Sequence, residues 1–288
     1  MKFKRIAFVG LGAMGLPMAL NLLKHGYEVH AAIHRNPKPV ETLRQAGAVV
    51  HDSVPAAAAA GEVLISILPE DRDMQSVLLD EKLLGAITGV RMLIEMTSGS
   101  PDMMKRVHSV YAQRGIRVLD APVSGGTAGA EQGTLTVMAG GDADALEQAR
   151  PVLEAMARNI YSVGPVGAGK AIKAINQMLA GVHMLAAAEA FALARKLGID
   201  KDTLRQVIGA SSGMSWMLMN KLDPMDARNF APGFKQRLMK KDIAIAASEG
   251  RDLPLPLTTL ALQLYTMKEK EIGELDFSAM AASILGDD

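Results

Sequence analysis

Arg5-Ile6-Ala7-Phe8-Val9-Gly10-Leu11-Gly12-Ala13-Met14-Gly15 is the stretch on which the reading of the first half of the chain turns. An apolar, strand-like run enters three glycines spaced G-x-G-x-x-G, and a helical pattern over Met14–Lys24 follows. A glycine turn between strand and helix exposes backbone N–H groups at the helix start, a seat for a dinucleotide pyrophosphate. The first glycine makes the turn, the second admits the phosphate, and the third lets helix and strand pack closely. The alternative is a tight strand-to-helix turn that holds no ligand.

Working outward, the first half alternates strand-like segments with helical ones. The strands are Arg5–Val9, Glu28–Ile33, Val63–Ile67, Arg91–Glu95 and Arg117–Asp120; the helices lie near Met14–Lys24, Val40–Gln45, Met74–Leu79 and Met103–Gln113. This βαβα rhythm predicts a Rossmann-type, doubly wound α/β sheet, mostly parallel and covered on both faces. Thr134–Met138 and Asn159–Val163 read as further strands around a helix near Ala143–Met156. After Gly169 the texture changes to helix throughout. Lys170–Leu197 forms a long pattern, followed by Lys201–Ala210, Lys235–Ser248, Thr258–Lys270 and Ser278–Leu285. Asp223-Pro224 and Pro232-Gly233 are among the breakers between them. The expected division is a dinucleotide-binding domain over 1–165 and an all-helical domain over 166–288 for substrate and self-association, joined by the long helix.

The chain has 288 residues and no cysteine, which excludes disulfides, thiolate catalysis and cysteine metal sites. Its 31 Lys and Arg balance 31 Asp and Glu, and no long basic run suggests nucleic acid. No uninterrupted apolar segment reads as long enough for a bilayer, and Met1–Arg5 lacks the features of a secretory leader. A cytoplasmic protein with no membrane partner and no metal is the expectation.

NAD-specific folds usually place a carboxylate at the tip of the second strand. Here Ala31-Ala32-Ile33-His34-Arg35-Asn36 has none; Arg35, assisted by His34, suits a ribose 2′-phosphate, so NADP is preferred with NAD possible. Leu68-Pro69 and Thr97 follow later strands and are expected to edge the cofactor. Asp120-Ala121-Pro122-Val123-Ser124-Gly125-Gly126-Thr127-Ala128-Gly129-Ala130 reads as a glycine-rich loop, with Ser124, Gly125 and Gly126 as a cradle for a substrate carboxylate. The alternative is a structural crossing between strands. In Gly167-Ala168-Gly169-Lys170-Ala171-Ile172-Lys173-Ala174-Ile175-Asn176-Gln177, Lys173 and Gln177 share a helix face. A lysine in an apolar cleft can exchange a proton near neutrality, whereas on a connecting helix it is an ordinary surface charge. Lys241 fits either a ligand contact or, with Arg237 and Lys240, a solvated helix face.

These motifs, in this order over nearly the whole chain, resemble the β-hydroxyacid dehydrogenase family, which contains 3-hydroxyisobutyrate dehydrogenases and tartronate semialdehyde reductases. Gly10–Ala19 is similar to its cofactor signature, Asp120–Gly126 to its substrate signature, Gly167–Lys173 to its catalytic signature, and Lys241-Asp242 to a pair in its carboxy-terminal domain. Leu179–His183, Ser215–Met217 and Leu253–Leu257 resemble the L-threonate dehydrogenase-like branch. The resemblance implies NAD(P)-dependent hydride transfer between a small hydroxy acid and its keto or semialdehyde form. It implies Lys173 as general acid/base with Gln177 beside it. Ser124, Gly125, Gly126 and Asn176 would hold substrate, and Lys241 would lie near both substrate and cofactor. Gln177 stands where the family often has Asn; both amides donate to a hydroxyl. Two other readings stay open: an NADPH-dependent glyoxylate or succinic semialdehyde reductase, and a catalytically inactive NADP(H)-binding scaffold or sensor. The Ala- and Met-rich helices also suggest a homodimer or homotetramer.

Overall fold

The structure, a computed structural model, describes residues 3–32 and 38–286. They divide into two compact units, Met1–Lys173 and Ala174–Asp288.

The first unit runs β1 (Arg5–Val9), α1 (Gly15–Lys24), β2 (Glu28–Ala32), α2 (Lys38–Gln45), β3 (Val49–His51), α3 (Val54–Ala60), β4 (Val63–Ser66), α4 (Asp71–Leu78), α5 (Glu81–Ala86), β5 (Met92–Glu95) and α6 (Pro101–Ala112). It continues through β6 (Arg117–Asp120), β7 (Val123–Ser124), α7 (Gly126–Gln132), β8 (Leu135–Gly141), α8 (Ala143–Glu154) and β9 (Ala157–Gly164) to α9 (Ala168–Lys196), whose later turns belong to the second unit. The strands make one sheet in the order β3-β2-β1-β4-β5-β6-β8-β7, with β9 on β8. β3 to β6 pair in parallel, so the strand order reverses between β1 and β4. That reversal is where open α/β sheets bind ligands, beyond the carboxyl ends of the strands.

The period-2 pattern assigns each strand residue to one of two cores. Ile6, Phe8, Val63, Ile65, Met92, Ile94 and Leu119 enter one cluster. Their neighbours Ala7, Val9, Leu64, Leu93 and Val118 enter the other, so both faces are buried as a parallel sheet requires. The register then lines up the strand ends: Val9 pairs Ser66, Ser66 pairs Glu95, and Glu95 pairs Asp120. Three polar side chains therefore stand in a row on the face of the second cluster.

The segment expected as a glycine-rich loop is largely regular structure. Leu119 and Asp120 pair Gly141 and Gly140, and Val123 and Ser124 pair Val137 and Thr136. β6 and β7 thus share one antiparallel register along β8, interrupted at Ala121-Pro122, where Pro122 offers no N–H to a ladder. Gly125 and Gly126 then turn with φ of 134° and 63° into α7. Besides β7 and α7, the short elements β3, α3 and α5 were not foreseen; α3 contains the Ala56–Ala60 run and is capped by Ser53.

The second unit adds α10 (Lys201–Gly209), α11 (Trp216–Asp226), α12 (Gln236–Glu249), α13 (Pro256–Ile272), a 3-10 turn (Phe277–Ala281) and α14 (Ala282–Leu285). Its core joins Met184, Ala188 and Phe191 of α9 to Leu222, Ile243 and Tyr265. Asp223-Pro224 does not break the chain as expected: α11 runs through it, because Leu218, Leu222 and Met225 are buried on one side and packing overrides the proline. α9 matches a membrane span in length and composition alone; it carries Lys170, Lys173 and Glu189, and half of its most apolar window is buried inside the protein, as in a core helix.

Candidate active site

The β1–α1 turn gives each glycine a separate duty. A Cβ on Gly10, whose φ is +99°, would lie 1.9 Å from the Ile67 carbonyl oxygen, and one on Gly15 would lie 1.8 Å from the Gly10 carbonyl oxygen. Backbone crowding therefore demands glycine at the first and third positions. A Cβ on Gly12 would meet nothing within 4 Å. The protein thus leaves open space at Gly12, and α1 starts at Gly15, with Met14 at the N-cap and no side-chain cap on its N–H groups. These features fit a dinucleotide at Gly10–Gly15. His34 and Arg35 lie outside the described residues.

The loops after β4 and β5 are joined. Leu68 N–H donates to Thr97 Oγ1 at 2.8 Å, and Thr97 N–H and hydroxyl both donate to Glu95 Oε1. Ser66 Oγ donates to the same oxygen at 3.4 Å. Leu68 is thus held through Thr97 on a buried carboxylate, and Pro69 follows Leu68 in the same connection.

Glu95 is itself paired with Lys170 Nζ, in the first turn of α9. The ammonium also donates to the Glu95 carbonyl oxygen at 3.2 Å and stands 3.3 Å from Asp120 Oδ1, at ion-pair distance. Asp120 Oδ2 accepts from the N–H groups of Gly167 (2.9 Å) and Lys170 (3.1 Å). Glu95, Asp120 and Lys170 are all fully buried. Burial disfavours the Lys170 charge, yet the two carboxylates outweigh it and hold the amine above its ordinary pKa. This trio escaped the sequence reading. Its signal was that Val63–Ser66, Met92–Glu95 and Arg117–Asp120 each end an apolar strand on a polar residue.

One turn further along α9, Lys173 is buried to 7% exposure. Gln177, buried at 6%, donates from Nε2 to Asp242 Oδ2 at 2.8 Å and accepts at Oε1 from Asn176 Nδ2 at 2.9 Å. Asp242 is buried too, and Lys241 Nζ stands 2.8 Å from its Oδ1. The structure thus gathers Asn176, Gln177, Lys241 and Asp242 into one polar cluster. The three α12 cations are not equivalent: Arg237 and Lys240 pair outward with Glu274 and Glu269, while Lys241 turns to the buried carboxylate. Ser124 is half-buried at the end of β7, and Gly125 and Gly126 are exposed. Trp216 is exposed at the start of α11.

Residues 5–164 match the NAD binding domain of 6-phosphogluconate dehydrogenase, and residues 167–284 match the domain described as NAD-binding of NADP-dependent 3-hydroxyisobutyrate dehydrogenase. The chain belongs to the β-hydroxyacid dehydrogenase family. Among this family's members, NAD-dependent L-serine dehydrogenase of Pseudomonas aeruginosa is 40% identical, the alignment covering 96% of each chain. The 3-hydroxyisobutyrate dehydrogenase of the same organism is also 40% identical, over 98% of this chain and 99% of that one. The solved structure of Mycobacterium tuberculosis 3-hydroxyisobutyrate dehydrogenase with L-serine superposes with a TM-score of 0.88 at 35% identity, over 99% of this chain and 100% of that one. As a β-hydroxyacid dehydrogenase the protein is an oxidoreductase that uses a nicotinamide dinucleotide.

Proposed function

We propose that the protein interconverts a small 3-hydroxy acid and its semialdehyde, with Lys173 as the group that moves the proton. L-serine and 3-hydroxyisobutyrate, the compounds in the relatives' names, share a primary alcohol one carbon removed from the carbon bearing a carboxylate. A substrate of that class needs an anion seat and a proton acceptor. Ser124, Gly125 and Gly126 supply the first, through a hydroxyl and the N–H groups of two glycines at the β7–α7 turn. Lys173 supplies the second.

The burial of Lys173 carries this reading. A lysine with 7% of its surface exposed, on a helix anchored to the strand ends of a dinucleotide-binding sheet, is not an ordinary surface charge. In oxidation, neutral Lys173 takes the hydroxyl proton at Nζ as the carbon–oxygen double bond forms. In reduction, charged Lys173 returns it. A nicotinamide dinucleotide held at Gly10–Gly15 would supply the hydride acceptor in oxidation and the hydride donor in reduction. Gln177, fixed by Asp242 and Asn176, orients the reacting oxygen, with Lys241 as a further polar contact to substrate and cofactor. We assign NADP as the preferred dinucleotide from Arg35, with NAD as the competitor.

The test has two parts. Lys173→Ala is expected to lower turnover by about 10²–10⁴-fold while dinucleotide affinity, measured by fluorescence titration, stays within a few fold. Turnover near wild type would remove Lys173 from the chemistry. In parallel, NAD and NADP are compared with L-serine, 3-hydroxyisobutyrate, L-threonate, D-glycerate and 4-hydroxybutyrate, and in the reverse direction with glyoxylate and succinic semialdehyde. A preference for a C4 sugar acid or for aldehyde reduction would redirect the substrate assignment. Tight dinucleotide binding with no turnover on any of them would leave a binding protein.

A further inference from the structure

We infer that Lys170 is a positioning residue for the reaction: its buried ammonium locks the first turn of α9 to the ends of β5 and β6 and so sets the place of Lys173. The inference rests on the reading of Lys173 given above.

The contacts act together. The Lys170 side chain reaches the carboxylate and the carbonyl oxygen of Glu95, the last residue of β5. Its own backbone N–H, with that of Gly167, donates to Asp120, the last residue of β6. One residue of α9 is therefore held by its backbone to one strand and by its side chain to the neighbouring strand. Glycines permit the approach. A Cβ on Gly169 would lie 2.4 Å from the Met138 carbonyl oxygen and 2.6 Å from that of Asp120, and a Cβ on Gly140 would lie 2.6 Å from the Pro165 carbonyl oxygen. The helix start is thus pressed onto the backbone of the sheet.

Stability alone does not account for a fully buried cation with two fully buried carboxylates. Removing such charges from water is costly, and apolar residues of similar volume are often as stable. What ions add is a geometry that cannot slide. Rotating α9 by one residue, about 100°, would withdraw the ammonium from both carboxylates. Lys173 lies three residues on, a neighbour of Lys170 on the helix surface, so it inherits that register. The same Glu95 carboxylate holds Thr97, and through it Leu68. One buried charge centre thereby ties the helix that bears the proton-moving lysine to the loops assigned to the dinucleotide.

The experiment compares Lys170→Met, Lys170→Arg and the double variant Glu95→Gln/Lys170→Met in the full chain. The double variant removes one of the two buried carboxylates that Lys170→Met leaves without a cation and restores the net charge of the trio, while Asp120 keeps the backbone N–H groups of residues 167 and 170. Circular dichroism and dinucleotide affinity establish that each variant is folded and loaded, and kcat and KM are measured separately. A displacement of about 1 Å at the reacting group can cost on the order of 10²-fold. We therefore expect kcat of both Met-containing variants to fall about 10–100-fold, with KM for the hydroxy acid and Kd for the dinucleotide within about threefold, and Lys170→Arg to recover part of the loss. Wild-type kcat in either folded Met-containing variant overturns the inference, as does a defect confined to KM or Kd. Failure of both to fold overturns it too, since the cation would then be needed for folding itself. If Lys173→Ala remains active, the reading of Lys173 fails instead, whatever the Lys170 variants do.

Discussion

At the residue scale, Gly12 and Gly15 differ by three positions and face opposite constraints. Gly15→Ala would drive a methyl against the Gly10 carbonyl oxygen, so it should lower stability by about 3 kcal/mol or more, read as a fall in the denaturation midpoint. Gly12→Ala meets only open space; thermal stability should hold while dinucleotide affinity falls. Equal effects in the two assays would refute this division of labour. Glycines and a lysine at fixed spacing are legible in a sequence because the local backbone explains them. Glu95, Asp120 and Lys170 were not, because their meeting depends on the register of three strands and on a contact 75 residues long. The link between Gln177 and Asp242 spans 65 residues and was hidden for the same reason, although both residues sat in recognisable motifs.

Asp276 gives a second prediction at this scale. Burial pushes its carboxyl pKa up, but the paired Lys221 and hydrogen bonds from Ser278 and Phe234 prevail and hold it below the usual carboxylate range. A carboxyl whose pKa is lower folded than unfolded contributes its full stabilisation above the unfolded value, about 3.9, and loses it as pH falls through the folded value. Asp276→Asn should therefore be less stable than wild type near neutrality, with the gap closing towards acid. Urea midpoints of both proteins across that range would show it; a gap that widened at low pH would contradict the assignment.

At the element scale, the crossing of α9 and α12 depends on Gly181. A Cβ there would fall 2.5 Å from Ile243 Cδ1, and the Gly181 carbonyl oxygen accepts from Tyr265 Oη of α13 at 3.4 Å. Because the obstructing atom ends a flexible side chain, Gly181→Ala should cost about 1–3 kcal/mol, and Gly181→Ala/Ile243→Val should recover part of that. Chemical denaturation of the pair tests it; no recovery would place the strain elsewhere. Long, periodic elements were the readable ones: β1 and β6 fall on the expected residues, and α9 differs by a turn or less at its ends. β7 and α7 were missed because glycine and proline dominate the local signal there, while their pairing with β8 and packing are nonlocal. α11 was missed at Pro224, where burial outweighed a breaker.

At the scale of the whole molecule, each unit has a core of its own, two clusters around the sheet and one among the helices. A dinucleotide present at a hundred times its Kd stabilises the state that binds it by about 2.7 kcal/mol. Hydrogen exchange of β1, β4 and β5 should slow accordingly, by about a hundredfold for amides that open only on global unfolding. Unchanged exchange at saturation would argue against a site at the strand ends. The helical unit also leaves Leu257, Leu260 and Met267 exposed along α13, while Thr258, Ala261 and Tyr265 of the same helix are buried. We expect self-association through such a face, with sedimentation reporting a dimer or tetramer and Leu257→Glu/Leu260→Glu shifting it towards monomer; a monomeric parent would remove this expectation.

α9 is one uninterrupted rod from Ala168 to Lys196. Inserting a single amino acid between Lys173 and Gln177 would advance everything downstream by about 1.5 Å and swing it by about 100°. The lysine would keep its station while the amide left its own. Length variation that a surface turn would absorb is therefore forbidden along those four positions, and homologues should accumulate gaps everywhere sooner than there.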